Sequence, residues 1–335
     1  MKHKGLKITA IVLVSIILGI ITLNLIPQSH FVEENPFIVD EGELPMLAAH
    51  RGGGDNNPEN TMMAFRAAIN DYQVDIIESD LWLTKDGYLV YNHDGYIDRT
   101  SNVNGDIPYS KVKELIKDES NRHYIKDMTL DELREYNFGY YFEDENGERI
   151  YKDESDPLGA GVGIATVDEL FSEFYETKPD LLFIIEIKNS GELGFSACAA
   201  LAQALNKYPK YEKQTVVGTF HGEIESKLKS DYPHLMRGAS TTSAATFVLT
   251  NFVGLNALYN GGFGCLQIPM SYDLGIEVTL DRAGIIRQAH KREVAVQYWT
   301  INDPEEMRHL IELGCDAIMT DNPALLREIL AEYER

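Results

Sequence analysis

Residues 46–54 read Met46-Leu47-Ala48-Ala49-His50-Arg51-Gly52-Gly53-Gly54, an apolar run that ends in a histidine and an arginine. Two further apolar runs end in polar groups, at Ile76-Ile77-Glu78-Ser79-Asp80 and at Leu89-Val90-Tyr91-Asn92-His93. A fourth run, Leu181-Leu182-Phe183-Ile184-Ile185-Glu186-Ile187-Lys188, ends in a carboxylate and an amine. Polar groups at the carboxyl ends of strands are typical of parallel sheets and barrels, which hold their active sites at that edge.

Apolar runs rich in β-branched residues alternate with helical stretches through the rest of the chain. This alternation predicts an α/β fold, and its extent of about 290 residues favours a (β/α)8 TIM barrel. The predicted strands cover residues 46–50, 74–80, 88–92, 181–187, 214–219, 235–239, 264–268, 294–299 and 316–320. The predicted helices cover residues 61–71, 167–176, 192–207, 222–230, 280–291, 303–313 and 323–333. Nine strands exceed eight barrel positions, and Asp86-Gly87 is a hairpin turn signal, so either the strands on either side of it form a local hairpin or one strand is wrongly predicted.

Residues 95–160 interrupt this alternation. They are rich in Asp, Glu, Asn, Tyr and Gly and show little apolar periodicity. Short helices are predicted at about 108–117 and 129–135, and at the second of these Thr129 and Glu132 have the spacing of a capping box. We therefore predict a small insertion in one loop over the barrel mouth, within a catalytic domain that covers residues 46–335.

The amino terminus predicts a membrane anchor. Three lysines precede an apolar run from Ile8 to Ile26, which as a helix reaches about 28 Å, close to the hydrocarbon thickness of a bilayer. No Ala-x-Ala cleavage site follows, so an uncleaved transmembrane helix over residues 1–27 is favoured over a cleaved signal sequence. The basic flank would stay in the cytoplasm, which places the catalytic domain outside the cell membrane after a stalk over residues 28–45. Secretion after cleavage is the alternative.

The composition argues against two classes of partner. The 335-residue chain has 53 acidic and 30 basic residues and a net charge of −23, which disfavours nucleic acid or an anionic membrane as a partner held by charge. An anionic substrate would need a metal ion or a few placed cationic side chains. Cys198, Cys265 and Cys315 lie in apolar surroundings without the spacing of a zinc site, so we predict buried free thiols.

Three carboxylates stand at predicted strand ends. Glu78 and Asp80 are two residues apart, a spacing that puts both side chains on one face of a strand. Glu186 ends an almost wholly apolar strand. Three inward carboxylates form an oxygen-only ligand set, which suits Ca²⁺ or Mg²⁺ better than zinc. The alternative is that they are rim charges paired with Lys or Arg.

The two histidines are the predicted acid–base pair. An imidazole is the side chain best suited to exchange protons near neutral pH, so of His50 and His93 one could take a proton from the nucleophile while the other delivers one to the leaving oxygen. They could instead be metal ligands or hydrogen-bonded core histidines. Because each is followed by a charged residue at a strand end, we favour the catalytic role.

Two cations adjoin these groups and are predicted to bind the substrate. Arg51 offers a planar fork that fits a phosphate, and Lys188 offers a point charge. Trp299 ends another predicted strand and either forms an apolar wall of the site or fills the barrel. Glu59 is interpreted as a structural residue near the start of a helix, and Asp321 as the cap of the helix that follows Pro323.

In their order along the chain, the motifs resemble those of the glycerophosphodiester phosphodiesterase family. The matching pieces are His50-Arg51-Gly52, Pro58-Glu59-Asn60-Thr61, Glu78-x-Asp80, Thr84-Lys85-Asp86-Gly87, His93-Asp94, Asp98-Arg99-Thr100, Glu186-Ile187-Lys188, Trp299-Thr300-Ile301-Asn302 and Thr320-Asp321-Asn322-Pro323. The resemblance implies a TIM barrel like that of phosphatidylinositol-specific phospholipase C. It also implies a divalent metal at the three carboxylates, acid–base work by both histidines and phosphate contacts from Arg51.

The predicted activity is therefore metal-dependent hydrolysis of glycerophosphodiesters, such as deacylated phospholipids, to glycerol 3-phosphate and an alcohol. Two routes fit the residues: direct attack by water, or attack by a glycerol hydroxyl through a cyclic phosphate. Nearer alternatives are a lysophospholipase D and a hydrolase of polyglycerol-phosphate wall polymers such as teichoic acid. An alternative of another class is a catalytically inactive barrel that serves as a surface binding module.

Overall fold

The computed structural model describes residues 2–273 and 275–334, with side chains from Ile11 onwards. A helix, α1 (Lys2–Leu25), covers most of the predicted anchor, although the side chains of residues 8–10 in its apolar run lie outside the described part. Among the residues that are described, we find no helix with the length and apolar character that crossing a bilayer requires. The prediction of a transmembrane helix over residues 1–27 is therefore not supported, and the extracytoplasmic placement stays a prediction.

The described chain contains eleven strands and, after α1, eleven further α-helices. The strands are β1 (Met46–Ala49), β2 (Ile76–Leu83), β3 (Leu89–Tyr91), β4 (Leu182–Ile187), β5 (Thr215–Gly218), β6 (Met236–Arg237), β7 (Cys265–Ile268), β8 (Ser271–Asp273), β9 (Glu277–Thr279), β10 (Ala295–Tyr298) and β11 (Ala317–Thr320). The helices are α2 (Met62–Asn70), α3 (Tyr109–Leu115), α4 (Leu130–Leu133), α5 (Val167–Phe174), α6 (Gly191–Leu205), α7 (Pro209–Lys213), α8 (Gly222–Asp231), α9 (Thr241–Phe252), α10 (Ala283–His290), α11 (Pro304–Leu313) and α12 (Pro323–Tyr333).

Eight of these strands form a parallel sheet that curls into a nearly closed barrel. Hydrogen-bonded neighbours follow the order β6-β5-β4-β2-β1-β11-β10-β7, and a parallel bridge between Gly238 and Cys265 brings the two end strands together. The register of β2 on β4 sets Asp80 beside Glu186. Because parallel strands end at the same edge, their carboxyl ends surround one mouth. The predicted α/β barrel is confirmed.

The surplus strand belongs to a hairpin. β3 pairs antiparallel with β2 across the Asp86-Gly87 turn, and it lies off the barrel path. The chain then leaves the barrel and returns to it at α5. Within this excursion α3 and α4 form close to the predicted places, and Thr129 and Glu132 make the predicted capping box at the start of α4. All three cysteines are buried and free, as predicted.

The segment predicted as a stalk lies across the amino-terminal end of the barrel. Asn35 Nδ2 donates to the carbonyl oxygens of Gly264 at 2.7 Å and Glu293 at 2.9 Å. Phe37 is completely buried and packs against side chains that point into the barrel at its amino-terminal end. This end of the barrel has room for a ring because three of the inward-facing residues are alanines: Ala48, Ala295 and Ala317. Residues 28–45 are thus part of the folded domain and close the amino-terminal end of the barrel.

We expect Phe37→Ala to destabilise the protein by about 3–5 kcal/mol, because it leaves a cavity that the surrounding strands cannot fill. Urea unfolding followed by circular dichroism measures the change. Leu258→Ala is the control, since that side chain is 67% exposed and its truncation should cost less than about 0.5 kcal/mol. Equal stability of the two variants would show that residue 37 does not close the barrel.

Candidate active site

One cavity at the carboxyl-terminal mouth of the barrel is lined by every residue predicted for the site. These are His50, Arg51, Glu78, Asp80, His93, Glu186, Lys188 and Trp299. Seven further residues line the same cavity and were not identified from the sequence: Ile184, Gly218, Thr219, Phe220, Ala239, Gln267 and Met319. Several of them occupy alternate strand positions that face the barrel interior. None is charged, so nothing in the sequence distinguished them from core residues.

The carboxylates reach the cavity because alternate residues of a strand face the same side. Glu78 and Asp80 continue the inward face of β2 that begins with the buried Ile76, and Glu186 has the same place on β4. The backbone N–H of Arg51 donates to Glu78 Oε2 at 2.8 Å. The first loop of the barrel is therefore hydrogen-bonded to the second strand, inside the mouth.

Lys188 lies between two of the carboxylates. Its Nζ is 3.1 Å from Asp80 Oδ1 and 3.0 Å from Glu186 Oε2. Burial opposes ionisation of Asp80, but Lys188 and Arg51 outweigh it and lower the pKa of that carboxyl. Burial raises the pKa of Glu186, and Lys188 only partly offsets it. Part of the site's negative charge is therefore balanced by an amine of the chain itself.

Glu78 remains without an equivalent cation. Burial and then the charge of Asp80 raise its pKa to about 7, and His50 opposes this only in part. The three carboxylates form an oxygen-only set with unbalanced negative charge, which fits the chemistry of a hard divalent cation. In the side-chain positions described, however, no group of three or more His, Cys, Asp or Glu is arranged to hold a metal ion. Binding one would require the Lys188 amine to move from between Asp80 and Glu186.

We expect the thermal midpoint of the chelator-treated protein to fall as the pH rises from about 5 to about 8. Folded Glu78 has a pKa of about 7, above its ordinary value of 4.5, so between these values the folded protein holds a proton that the unfolded chain releases. Rising pH therefore favours unfolding, and His50, whose pKa is also raised, acts in the same direction at the upper end. Glu78→Gln should flatten the profile, whereas the exposed Glu305→Gln should not. Identical profiles for Glu78→Gln and the unchanged protein would contradict this assignment.

Each histidine is held by a carboxylate at Nδ1. His50 Nδ1 is 2.6 Å from Asp321 Oδ1, and His93 Nδ1 is 3.0 Å from Asp94 Oδ1. Such a bond favours the tautomer with the proton on Nδ1 and leaves Nε2 for the cavity. Burial opposes protonation of His50, but Glu78 and Asp321 outweigh it and raise the pKa of the imidazole.

Asp321 has a different role from the one predicted. The cap of α12 is Asn322, whose side chain accepts from the backbone N–H of Leu325 at 3.0 Å. Asp321 instead binds His50 with one oxygen and accepts from Asn302 Nδ2 at 2.8 Å with the other. The prediction was wrong because Asp321 and Asn322 are both good caps, and which one lies opposite His50 depends on the closure of the barrel.

The glycines after His50 allow this loop to pack closely. A Cβ on Gly53, whose φ is +94°, would lie 2.7 Å from Pro323 Cγ. A Cβ on Gly52 would lie 2.9 Å from the Cβ of Ala64 in α2. Side chains at either position would push the loop away from the helices that hold it. The glycines therefore place His50 and Arg51 over the mouth.

Trp299 contributes both to the wall and to the packing of the barrel. Its ring lines the cavity and also packs against the inner layer of the barrel. It meets the ring of Phe220 edge-on, with 6.3 Å between centroids. Phe220 is 55% exposed, so the mouth has an apolar side opposite its charged floor.

Known proteins resemble this chain in sequence and in fold. The chain is 29% identical over 281 residues to a glycerophosphodiester phosphodiesterase of Caldanaerobacter subterraneus subsp. tengcongensis, covering 84% of this chain and 96% of that protein. It is 27% identical to lysophospholipase D GDPD1 of Rattus norvegicus, covering 84% of this chain and 85% of the relative. The solved structure of an Oleispira antarctica phosphodiesterase, in complex with the product sn-glycerol-3-phosphate, has the same fold, with a TM-score of 0.58 and 18% identity, covering 87% of this chain and 99% of that chain. Residues 50–325 match the model of the glycerophosphoryl diester phosphodiesterase family, and the chain belongs to that family.

Proposed function

We propose that this protein hydrolyses glycerophosphodiesters to sn-glycerol 3-phosphate and an alcohol, with a divalent metal and with His50 and His93 as acid and base. The observation that carries the proposal is the single cavity in which two imidazoles, three carboxylates and two cations meet. Family membership and the product complex of the Oleispira antarctica phosphodiesterase support the substrate class.

The residues of the cavity have separate roles in the proposed reaction. Arg51 and Lys188 bind the phosphate by charge and hydrogen bonds, and both are only partly exposed, so their attraction is little screened by water. One imidazole takes a proton through Nε2 from the attacking water or glycerol hydroxyl, and the other protonates the leaving oxygen. If the glycerol hydroxyl attacks, the product of this step is a cyclic phosphate, which water then opens to give glycerol 3-phosphate. Asp321 and Asp94 keep each ring in the required tautomer. When bound at Glu78, Asp80 and Glu186, Ca²⁺ or Mg²⁺ supplies electrostatic stabilisation of the charge on the phosphate oxygens.

Incubation with glycerophosphocholine, followed by enzymatic detection of glycerol 3-phosphate and choline, tests the proposal. We expect equimolar release of both products with Ca²⁺ or Mg²⁺ present. Phosphocholine and glycerol as products would place the cleaved bond on the other side of phosphorus. Binding of glycerophosphodiesters without turnover, in every metal tried, would instead favour the non-catalytic binding barrel.

A lysophospholipase D activity is the second candidate. The apolar side of the mouth formed by Phe220 and Trp299 offers a surface for an acyl chain. A relative named lysophospholipase D matches most of the chain. Comparison of kcat/KM for lysophosphatidylcholine and for glycerophosphocholine separates the two activities. If the acyl chain lies on the ring of Phe220, the variant Phe220→Ala should lower kcat/KM for lysophosphatidylcholine only.

A further inference from the structure

We propose that Arg99 is a positioning residue that joins His93 to Arg51 through two carboxylates, Asp94 and Glu59. The inference rests on the proposed function for its kinetic consequences. Arg99 is not among the residues that line the cavity, and it lies at the start of the insertion rather than on a barrel strand. It therefore acts on the reaction through its neighbours.

The first half of the connection runs to the imidazole. Asp94 uses Oδ1 for His93 Nδ1, at 3.0 Å, and Oδ2 for Arg99 Nε, at 2.5 Å. A carboxylate held at both oxygens cannot rotate away from the ring. Arg99 thus fixes the plane of Asp94 and, through it, the direction in which His93 Nε2 points.

The second half runs to the phosphate-binding arginine. Glu59 accepts two hydrogen bonds from Arg99, from Nη1 at 2.9 Å and from Nη2 at 2.5 Å. Arg51 Nη1 lies farther from the same carboxylate, at 3.3 Å and 3.5 Å. Glu59 is therefore bound mainly by Arg99 and holds Arg51 only weakly, although Arg51 Nε also lies 3.5 Å from Asp80 Oδ2.

The four groups from Arg51 through Glu59 and Arg99 to Asp94 alternate in charge. Burial opposes ionisation of Glu59, but Arg99 and then Arg51 lower its pKa, so it stays negative. If Arg99 were removed, the nearest remaining cation of Glu59 would be Arg51, and their attraction would compete with phosphate binding. Asp94 would at the same time lose its second partner.

The key experiment compares Arg99→Ala with the double variant Arg99→Ala/Glu59→Gln, using glycerophosphocholine as substrate. We expect Arg99→Ala to lower kcat about 10- to 100-fold and to raise KM about tenfold. Neutralising Glu59 should then restore KM, because Arg51 is released, but should leave kcat low, because Asp94 is still loose. A purely structural role predicts that the second substitution worsens both constants, and that result would overturn the proposal.

Arg66→Ala is the matched control. Arg66 makes a comparable two-bond contact with a carboxylate, Glu173, at 2.7 Å for each bond, away from the cavity. It should leave both constants within about twofold. If Arg99→Ala changes them no more than Arg66→Ala does, Arg99 has no positioning role.

Single variants keep the proposal testable should Arg99→Ala fail to fold by circular dichroism. Asp94→Asn should lower kcat with little change in KM, whereas Glu59→Gln should change KM more than it changes kcat. Equal losses of kcat in the two variants would contradict the division of roles.

Two measurements separate this proposal from the proposed function. Calorimetry with sn-glycerol 3-phosphate should show weaker binding to Arg99→Ala than to the unchanged protein, and recovery in the double variant. Nitrogen-15 NMR of His93 should show a changed tautomer balance in Arg99→Ala. If the unchanged protein hydrolyses none of the substrates but the variants show both effects, only the enzymatic function is refuted. Absence of both effects refutes the role of Arg99.

Discussion

We expect His50→Ala and His93→Ala each to lower kcat by about 10²- to 10⁴-fold while the protein stays folded. That range is typical for the loss of a general acid or base. Both rings line the cavity, and each is held at Nδ1 by a carboxylate, so truncation removes a proton carrier without touching the core. Initial rates of glycerol 3-phosphate release, with circular dichroism as the folding check, measure the effect.

His309→Ala is the matched control for both histidine variants. His309 also pairs with an aspartate, at 2.7 Å from Asp281 Oδ2, but it is half exposed and does not line the cavity. It should keep wild-type activity. Should either cavity variant retain full activity, that histidine has no part in the reaction.

Removal of divalent metal is expected to abolish activity, by at least about a hundredfold, and re-addition of Ca²⁺ or Mg²⁺ should restore it. The physical reason is the unbalanced charge of the cavity floor, where burial and Asp80 raise the pKa of Glu78 to about 7. Glu186→Ala should weaken metal binding in calorimetry and lower activity in parallel. Dialysis against a chelator, followed by titration with each metal, measures both.

The exposed Glu305→Ala provides the control for the metal experiment, because its side chain is 86% exposed and pairs only at the surface. Full activity after exhaustive chelation would mean that the cations of the chain itself, Lys188 and Arg51, balance Asp80 and Glu186. Metal dependence would then be excluded for this chain.

The regular elements were predicted best where the apolar pattern was strong. The run that became β4 is buried along nearly its whole length, and α12 has the predicted bounds because Pro323 opens it. By contrast, α9 (Thr241–Phe252) was not predicted. Its sequence, Thr-Thr-Ser-Ala-Ala-Thr-Phe-Val-Leu-Thr-Asn-Phe, is rich in residues of low helix propensity, and packing with a Ser240 cap forms the helix.

The amino-terminal segment shows the limit of hydropathy alone. The apolar run predicted an independent anchor and a stalk, but the end of α1 contacts the rest of the chain, since Asn24 Nδ2 donates to the Gly254 carbonyl at 2.8 Å. Residues 28–45 then close the barrel with Phe37. The sequence of that segment gives no indication of the small residues that it packs against, because those residues belong to strands far away in the chain.

By itself the sequence determined the order of strands and helices and the kinds of side chain at each strand end, because both depend on local periodicity. Only the tertiary structure decided which of those side chains meet. Pairing of Ala49 with Thr320 in the closed barrel brings the next residues, His50 and Asp321, together from 271 positions apart. Arg99 likewise reaches Glu59 only when the insertion folds back over the first loop. Such partners are selected by barrel closure and register, which no local pattern encodes.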